Sequence, residues 1–474
     1  MLKKLIAWFG RNEVLVLLVT FSLILRLPSL FEPYWYGDEG IYLTLGQALR
    51  KGLVWYRDIH DNKPPLLYLL AAFTGTVFWF RLLLMVWFGT AVAVFYRLCQ
   101  KLLPQAPAAW ATLAMIILTT IFEGNVANAE IFIVLPVTLG ILLTFKPRPN
   151  YWLIGGLFSL GSLFKIPAAF DFLALTLWLV VWKKAGLKSL VQAGLGFAAP
   201  ITLTIVYYAY RGGLEPYVRS ALLQNVGYLQ SWGGSQTGLI TRFIITTIGL
   251  TIFIPLAKKL KLSAAGGLAI IWFAWAMFGA LLSARPYPHY LIQPAIPLVI
   301  LVTLVIFYQN KLLRFTALVA VGLAGLAYYQ IRFWQYPILG YYQNFIAYSL
   351  RQKTKTEYYS WFDCRVNQTY RLAKYIRSTT TAAEPIFIWG DEPYVYALSQ
   401  RLPVGRYTVA YHVVDFNGYS ATIATLDRQR PKIIAVMTYE SRDFPELKTR
   451  LATDYVQTAT IDQAKIYRRL DGTE

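Results

Sequence analysis

Acidic side chains are the scarce charge in this sequence: 24 Asp and Glu stand against 45 Lys and Arg, and charged residues of both signs make up only 15% of the chain. A soluble domain carries more charge and less apolar content than a chain that is 57% hydrophobic, which excludes the soluble class and implies a membrane protein. Cysteine is nearly absent. Cys99 and Cys364 fall in regions expected on opposite sides of a membrane, which argues against a disulfide between them and leaves the redox compartment unread. The N-terminal MLKKLIAWFGRNE lacks the short apolar run and small-residue cleavage site of a signal peptide, so it is read as the lead-in to an uncleaved first helix. No internal repeat or low-complexity tract is present. The basic excess is dispersed, with 26 of the 45 cations lying between apolar segments before residue 331. That pattern fits membrane orientation and not a nucleic-acid-binding patch.

Apolar runs long enough, or nearly so, to cross a hydrocarbon core of ~30 Å occur near 14–31, 82–98, 106–122, 130–145, 150–164, 167–182, 189–210, 238–257, 263–282, 290–308 and 313–330. Eleven transmembrane helices are therefore expected. The shorter run 66–80, ending at Arg81, is read as an interfacial or re-entrant helix on the outer side. Charge supports this choice. With the N-terminus inside, the inner segments carry fifteen cations, among them Lys3, Lys4, Arg11, Arg97 and Lys101, against the single acid Glu13. From about residue 331 the hydropathy falls, and the last 144 residues hold nineteen cations and fourteen acids. Two β-like runs, 385–390 and 432–437, with a helix start at DEPYVYALSQR, predict a small α/β domain there. The expected fold class is a polytopic α-helical membrane protein. Residues 1–330 form its transmembrane module, with a first outer loop at 32–81, and residues 331–474 form an extracytoplasmic α/β domain.

The first 330 residues contain ten acids, and five of them (Glu32, Asp38, Glu39, Asp58 and Asp61) crowd into that outer loop. Carboxylates are expensive near a membrane and do not gather without cause. Asp38 and Glu39 follow Tyr34-Trp35-Tyr36, a headgroup-level aromatic stretch, and a carboxylate at the edge of an apolar cavity suits a general base. The same pair also reads as solvated loop acids. Downstream, Asp58, His60, Asp61 and Lys63 fall within six positions and precede Pro64-Pro65, a set able to bind phosphate or a divalent cation, or simply to form a polar turn before a helix. Of the eleven cations expected outside, eight are arginine, whose planar fork suits phosphate.

The order Asp38-Glu39-x-x-Tyr42, a helix ending at Gly52, then Asp58-x-His60-x-x-Lys63-Pro64-Pro65-Leu66 resembles the first outer loop of the C-type membrane glycosyltransferase superfamily (GT-C fold). The likeness is to the branch of dolichyl-phosphate-mannose protein mannosyltransferases and lipid A aminoarabinose transferases. It is strongest over 26–98 and loose beyond. The resemblance implies transfer of a hexosyl or pentosyl group, with inversion, from a polyprenyl-phosphate donor to a hydroxyl of a lipid, polysaccharide or protein acceptor at the outer membrane face. It further implies Asp38 as base, with Glu39 supporting it or sharing a metal, and Lys63 neutralising the leaving phosphate. Tyr42, Asp58, His60 and Asp61 would support the loop. Protein mannosyltransferases have His-Pro-Pro where this chain has Lys63-Pro64-Pro65, so the family histidine does not map cleanly onto His60.

Other positions extend the pattern. Lys165 in SLFKIPAAF resembles a family lysine, although snorkelling to the interface explains it equally, and Asp171 is a candidate partner for it. Arg285-Pro-Tyr-Pro-His289-Tyr290 resembles a lipid-phosphate element, or else an aromatic belt, and Arg81 is a further phosphate candidate. A divalent metal is left open, with Glu39, His60 and Glu130 as candidate ligands, and Glu123 and Asn128 beside Glu130. Trp389-Gly390-Asp391-Glu392 is read as a strand-to-helix turn capped by Asp391, or as an acceptor contact. Two other classes fit parts of the sequence. A transporter or flippase predicts midplane charges in inverted repeats, whereas the charges here cluster at the rim. A non-catalytic binder of lipid-linked sugars has no need of both Asp38 and the Lys63 element.

Overall fold

The computed structural model describes residues 12–224, 236–282, 285–308 and 310–470; Lys3, Lys4 and Arg11 lie outside them. Among the described residues, six helices are long and apolar enough to cross a membrane: Glu13–Phe31, Val77–Leu102, Leu187–Tyr210, Gly238–Lys259, Pro288–Phe307 and Lys311–Ile331. Five shorter apolar helices, Gln105–Ile121, Ala129–Leu143, Tyr151–Phe164, Ala168–Val181 and Ala264–Ala280, fill the remaining expected positions. Each of the eleven runs read from the sequence is thus a helix, as a multi-pass membrane protein requires where lipid offers no partner to the backbone. Side chains cap several starts: Asn128, Asn150, Ser263 and Asn310 each accept from a backbone N–H three residues on.

The chain divides into two compact units. The first comprises Met1–Ser29, Arg81–Tyr207 and Leu223–Ile338, and so holds the bulk of the apolar helices. The second joins Leu30–Phe80, Tyr208–Leu222 and Leu339–Glu474.

Within the second unit, the helices Gly37–Arg50 and Leu66–Thr74 pack so closely that a Cβ on Gly46 would lie 2.5 Å from the backbone nitrogen of Ala72. The second of these helices is shorter than the run 66–80. Gly75 takes a left-handed conformation at φ 73°, which costs glycine little, and its N–H closes back on the Ala71 carbonyl at 2.9 Å. The Arg50 guanidinium donates to the Ala72 carbonyl at 2.7 Å, satisfying another group of that last turn. Residues 77–80 consequently open the next helix, Val77–Leu102, instead of closing this one.

The same unit contains a four-stranded sheet in the order β1-β2-β4-β3, formed by Phe387–Trp389 (β1), Ile433–Val436 (β2), Tyr455–Ile461 (β3) and Ala464–Arg469 (β4). β1 and β2 are parallel, with Ile388 opposite Ala435, while β4 runs antiparallel to both β2 and β3. Alternate residues feed opposite faces: Ile388, Ile433 and Ala435 pack on Leu372, Ile376 and Val395, while Phe387, Trp389 and Ile434 pack on Val413, Phe444 and Leu447. The helix Tyr394–Ser399 that follows β1 lies on Gly37–Arg50, where the Thr44 hydroxyl donates to the Pro393 carbonyl at 3.2 Å.

Candidate active site

Gly37–Arg50 begins directly after the aromatic stretch, so its first turn carries Asp38 and Glu39 on successive positions and directs them differently. Asp38 keeps about 29% of its side chain exposed, whereas Glu39 is fully buried. One helical turn on, the Tyr42 hydroxyl donates to Asp38 Oδ2 at 3.0 Å. Burial, and then the Asp38 charge, push the Tyr42 phenol well above its ordinary range, so it stays a neutral donor. Glu39 points elsewhere, receiving the Tyr394 hydroxyl at 3.4 Å.

Residues 58–63 return the chain to the same helix. The Lys63 ammonium stands 3.4 Å from Asp38 Oδ2 and 3.9 Å from Asp61 Oδ2, about 5.1 Å from the centre of the Tyr42 ring. Its backbone is held on both sides: the Lys63 N–H donates to Tyr68 Oη at 3.1 Å and the Tyr56 hydroxyl donates to the Lys63 carbonyl at 2.7 Å. Asp61, fully buried, accepts from the Tyr68 hydroxyl at 2.8 Å and from the Asn62 N–H at 2.8 Å. Asp38, Tyr42, Asp61 and Lys63 are thus brought together, twenty-odd residues of sequence having been folded out between them.

Asp58 and His60 do other things. Asp58 accepts from the Val54 N–H at 2.8 Å and pairs with Arg57, which holds its carboxyl below the usual carboxylate value and closes a local turn. His60 is buried with Nδ1 3.2 Å from Ser220 Oγ, its ring edge-on to Phe416 and about 5.5 Å from the His412 ring. Burial, followed by His412, drives the His60 imidazole well below its ordinary value. His412, on the helix Ala410–Asp415, has Nε2 3.7 Å from Asp61 Oδ1; burial and then Lys63 push it down to about 3. Both imidazoles are neutral at physiological pH. Neither His412 nor Tyr68 was singled out from sequence. The scarcity of histidine, three in the chain, was the signal that could have found His412.

The first unit holds its own polar clusters. Lys165 follows the helix Tyr151–Phe164 in extended conformation, pairs with buried Glu130 and stands 3.8 Å over the Tyr290 ring. His289 Nδ1 lies 2.9 Å from Glu123 Oε2, with Tyr287 stacked on its ring, and Arg285 is buried in the same stretch. Arg81 is fully buried and donates to the Ser29 carbonyl at 3.3 Å, a geometry that clamps the turn after the first helix. Asp171 turns instead to the core, where it accepts from Trp272 Nε1 and Gln293 Nε2, each at 2.8 Å, while Lys165 pairs with Glu130.

The metal candidates each have other partners: Glu130 holds Lys165, Glu39 receives Tyr394, and His60 adjoins Ser220. Among the described residues no group of three or more His, Cys, Asp or Glu side chains is arranged to hold a metal ion. In the C-terminal segment, Asp391 accepts from the Tyr411 N–H at 3.1 Å and pairs with Arg442, so it serves the helix Ala410–Asp415 instead of the one that directly follows β1. Glu392 pairs with Arg365 at 3.0 Å, yet burial still pushes its carboxyl up to about 7.

No family model matches the chain, and no curated protein matches it in sequence. Solved structures do match. The crystal structure of ArnT from Cupriavidus metallidurans bound to undecaprenyl phosphate superposes with a TM-score of 0.57 at 13% identity, covering 97% of this chain and 99% of that one. The apo structure of the same protein gives 0.57 at 14% identity, with 97% and 98% covered. The oligosaccharyltransferase AglB from Archaeoglobus fulgidus, in complex with an inhibitory peptide and a dolichol-phosphate, gives 0.45 at 16% identity over 90% of this chain and 70% of its own. The likeness to ArnT is one of architecture: the chain has the GT-C fold.

Proposed function

We propose that this protein, built on the GT-C fold, is an integral-membrane glycosyltransferase that moves a sugar from a polyprenyl-phosphate carrier to an acceptor hydroxyl on the outer face of the membrane. The observation that carries the reading is the 3.4 Å approach of Lys63 to Asp38, two chemically opposite groups from the ends of one polar loop. The ArnT structure of like fold is bound to undecaprenyl phosphate, which supports a lipid phosphate as the donor's leaving group here.

In the proposed reaction the acceptor oxygen attacks the anomeric carbon from the side opposite the phosphate. Its proton passes to a carboxylate oxygen of Asp38 as the new glycosidic bond forms. The bond between anomeric carbon and phosphate oxygen breaks, the electron pair departs with the phosphate, and the anomeric centre inverts. A positioned base of this kind contributes ~10²–10⁴-fold. Lys63 meets the charge that grows on the departing phosphate, which is where a fixed cation contributes most. Tyr42 orients Asp38, and Glu39 fixes the helix start through Tyr394. In the first unit, Arg81 is read as a structural clamp on the Ser29 carbonyl. No step requires a metal. The N-terminus is assigned to the cytoplasm and residues 331–474 to the outside.

The test is to offer the full-length protein in nanodiscs a panel of polyprenyl-phosphate hexoses and pentoses with lipid and saccharide acceptors. Release of polyprenyl phosphate together with a glycoside of inverted anomeric configuration is expected for at least one pair. Donors that all survive intact, or a product of retained configuration, would overturn the reading.

A further inference from the structure

Asp61 is a buried carboxylate that the transfer reaction does not consume. The groups facing it are Lys63, the phenols of Tyr42, Tyr56 and Tyr68, and the imidazoles of His60 and His412. The three phenols are pushed above their ordinary range by burial, and the two imidazoles are pushed below theirs by the same cause. At neutral pH these five groups are uncharged, and Lys63 is the cation that Asp61 meets. Two donors, the Tyr68 hydroxyl and the Asn62 N–H, lock the Asp61 carboxylate, and the same Tyr68 oxygen accepts from the Lys63 N–H. Carboxylate and ammonium are therefore built on one frame.

We propose that Asp61 is a positioning residue that shares the Lys63 ammonium with Asp38, so that the ammonium rests between two carboxylates and neutralises neither fully. A lysine paired with Asp38 alone would hold that carboxylate firmly in its charged form and blunt it as a base. Sharing leaves Asp38 more basic while Lys63 stays charged and aimed. The frame reaches into the C-terminal segment, because His412 from Ala410–Asp415 walls the far side of Asp61 at 3.7 Å as a neutral ring. The benefit to catalysis rests on the function proposed above; the sharing itself does not.

The side chain of Lys63 is about 19% exposed, enough for a small amine reagent. The rate of its acetylation by acetic anhydride, followed against pH by peptide mass spectrometry on the full-length protein in nanodiscs, reads the titration of the amine. Asp61→Asn is expected to lower the midpoint by about one pH unit or more, the usual effect of losing a nearby opposite charge, and Asp61→Glu to lower it less. A midpoint unmoved in Asp61→Asn, while Asp38→Asn moves it, would overturn the proposal. Should Asp61→Asn fail to fold, Asp38→Asn alone decides. A midpoint held at or above the ordinary lysine value of ~10.4 means that Asp61 still pairs with the amine, and a fall below it means that Asp61 does not. Undecaprenyl phosphate is the separate arm. If it fails to slow acetylation of wild-type Lys63 while the variant midpoints shift as expected, the phosphate role fails and the sharing stands.

Discussion

A carboxylate next to an ammonium is stabilised in its charged form, which is the state a general base must start from but which also makes it a weaker base. Asp38 meets the Lys63 ammonium at 3.4 Å and the Tyr42 hydroxyl at 3.0 Å, both within one polar loop. That much was legible as a spacing of residue types, since Asp38, Tyr42 and Lys63 stand in the motif, while Asp61 falls at one of its open positions and was noted only as an acid of the same loop. The sequence does not separate Asp58 and His60 from them, because loop residues two or three apart can face opposite ways. Only the hydrogen bond from Val54 to Asp58 and the burial of His60 beside Ser220 distinguish them.

A second residue-scale consequence concerns Glu392, whose carboxyl is raised to about 7 mainly by burial. A carboxyl raised on folding makes the native state hold its proton where the unfolded chain has released it. Its contribution is therefore fully present below the unfolded value of about 4.5 and is lost as pH rises towards 7. Glu392→Gln removes that dependence. The unfolding midpoint of the variant, relative to wild type, is expected to climb between pH 4.5 and 7; a difference that stays flat across this window contradicts the assignment.

At the scale of elements, the apolar helices were readable because surroundings without water demand apolar side chains as well as a self-satisfied backbone, so each appears as an apolar run, six of them long and five shorter. The end of Leu66–Thr74 was not. Gly75 sits inside a stretch that is apolar on both sides, and its left-handed φ of 73° has no signature in hydropathy. The β3–β4 hairpin was missed for a related reason. β3 is exposed along most of its length and so lacks an apolar run, although Asp462 and Gln463 between the strands both take positive φ, as a tight hairpin turn demands. Gly46 shows how closely two elements set the candidate site, since its missing Cβ lets Gly37–Arg50 rest on Leu66–Thr74. Gly46→Ala would force these backbones apart at a cost of ~1–3 kcal/mol, comparable with other overpacked contacts, and would move the helix that carries Asp38. A lower unfolding midpoint and at least a tenfold loss of transfer are expected; wild-type values for both would show that the approach is not needed.

For the whole molecule, charge and hydropathy gave the number of apolar helices and a distinct C-terminal segment. They did not show that Leu30–Phe80, Tyr208–Leu222 and Leu339–Glu474 form one compact unit, because residues such as Glu39 and Tyr394 meet across 355 positions of sequence. The proposed orientation can be read from cysteine: Cys364 is exposed in the C-terminal segment and Cys99 is buried. In spheroplasts with intact membranes, a membrane-impermeant maleimide is expected to label Cys364 without permeabilisation. Labelling that appears only after permeabilisation would invert the topology and move the proposed chemistry to the cytoplasmic face.

Asp38 is proposed to remove the acceptor proton, and wild type and Asp38→Asn, compared on whichever polyprenyl-phosphate sugar the panel identifies, test that role. Single-turnover transfer is expected to fall by ~10²–10⁴-fold while the dissociation constant for the donor changes less than tenfold. Transfer within a few-fold of wild type, or a loss of turnover that follows entirely from lost donor binding, would contradict it.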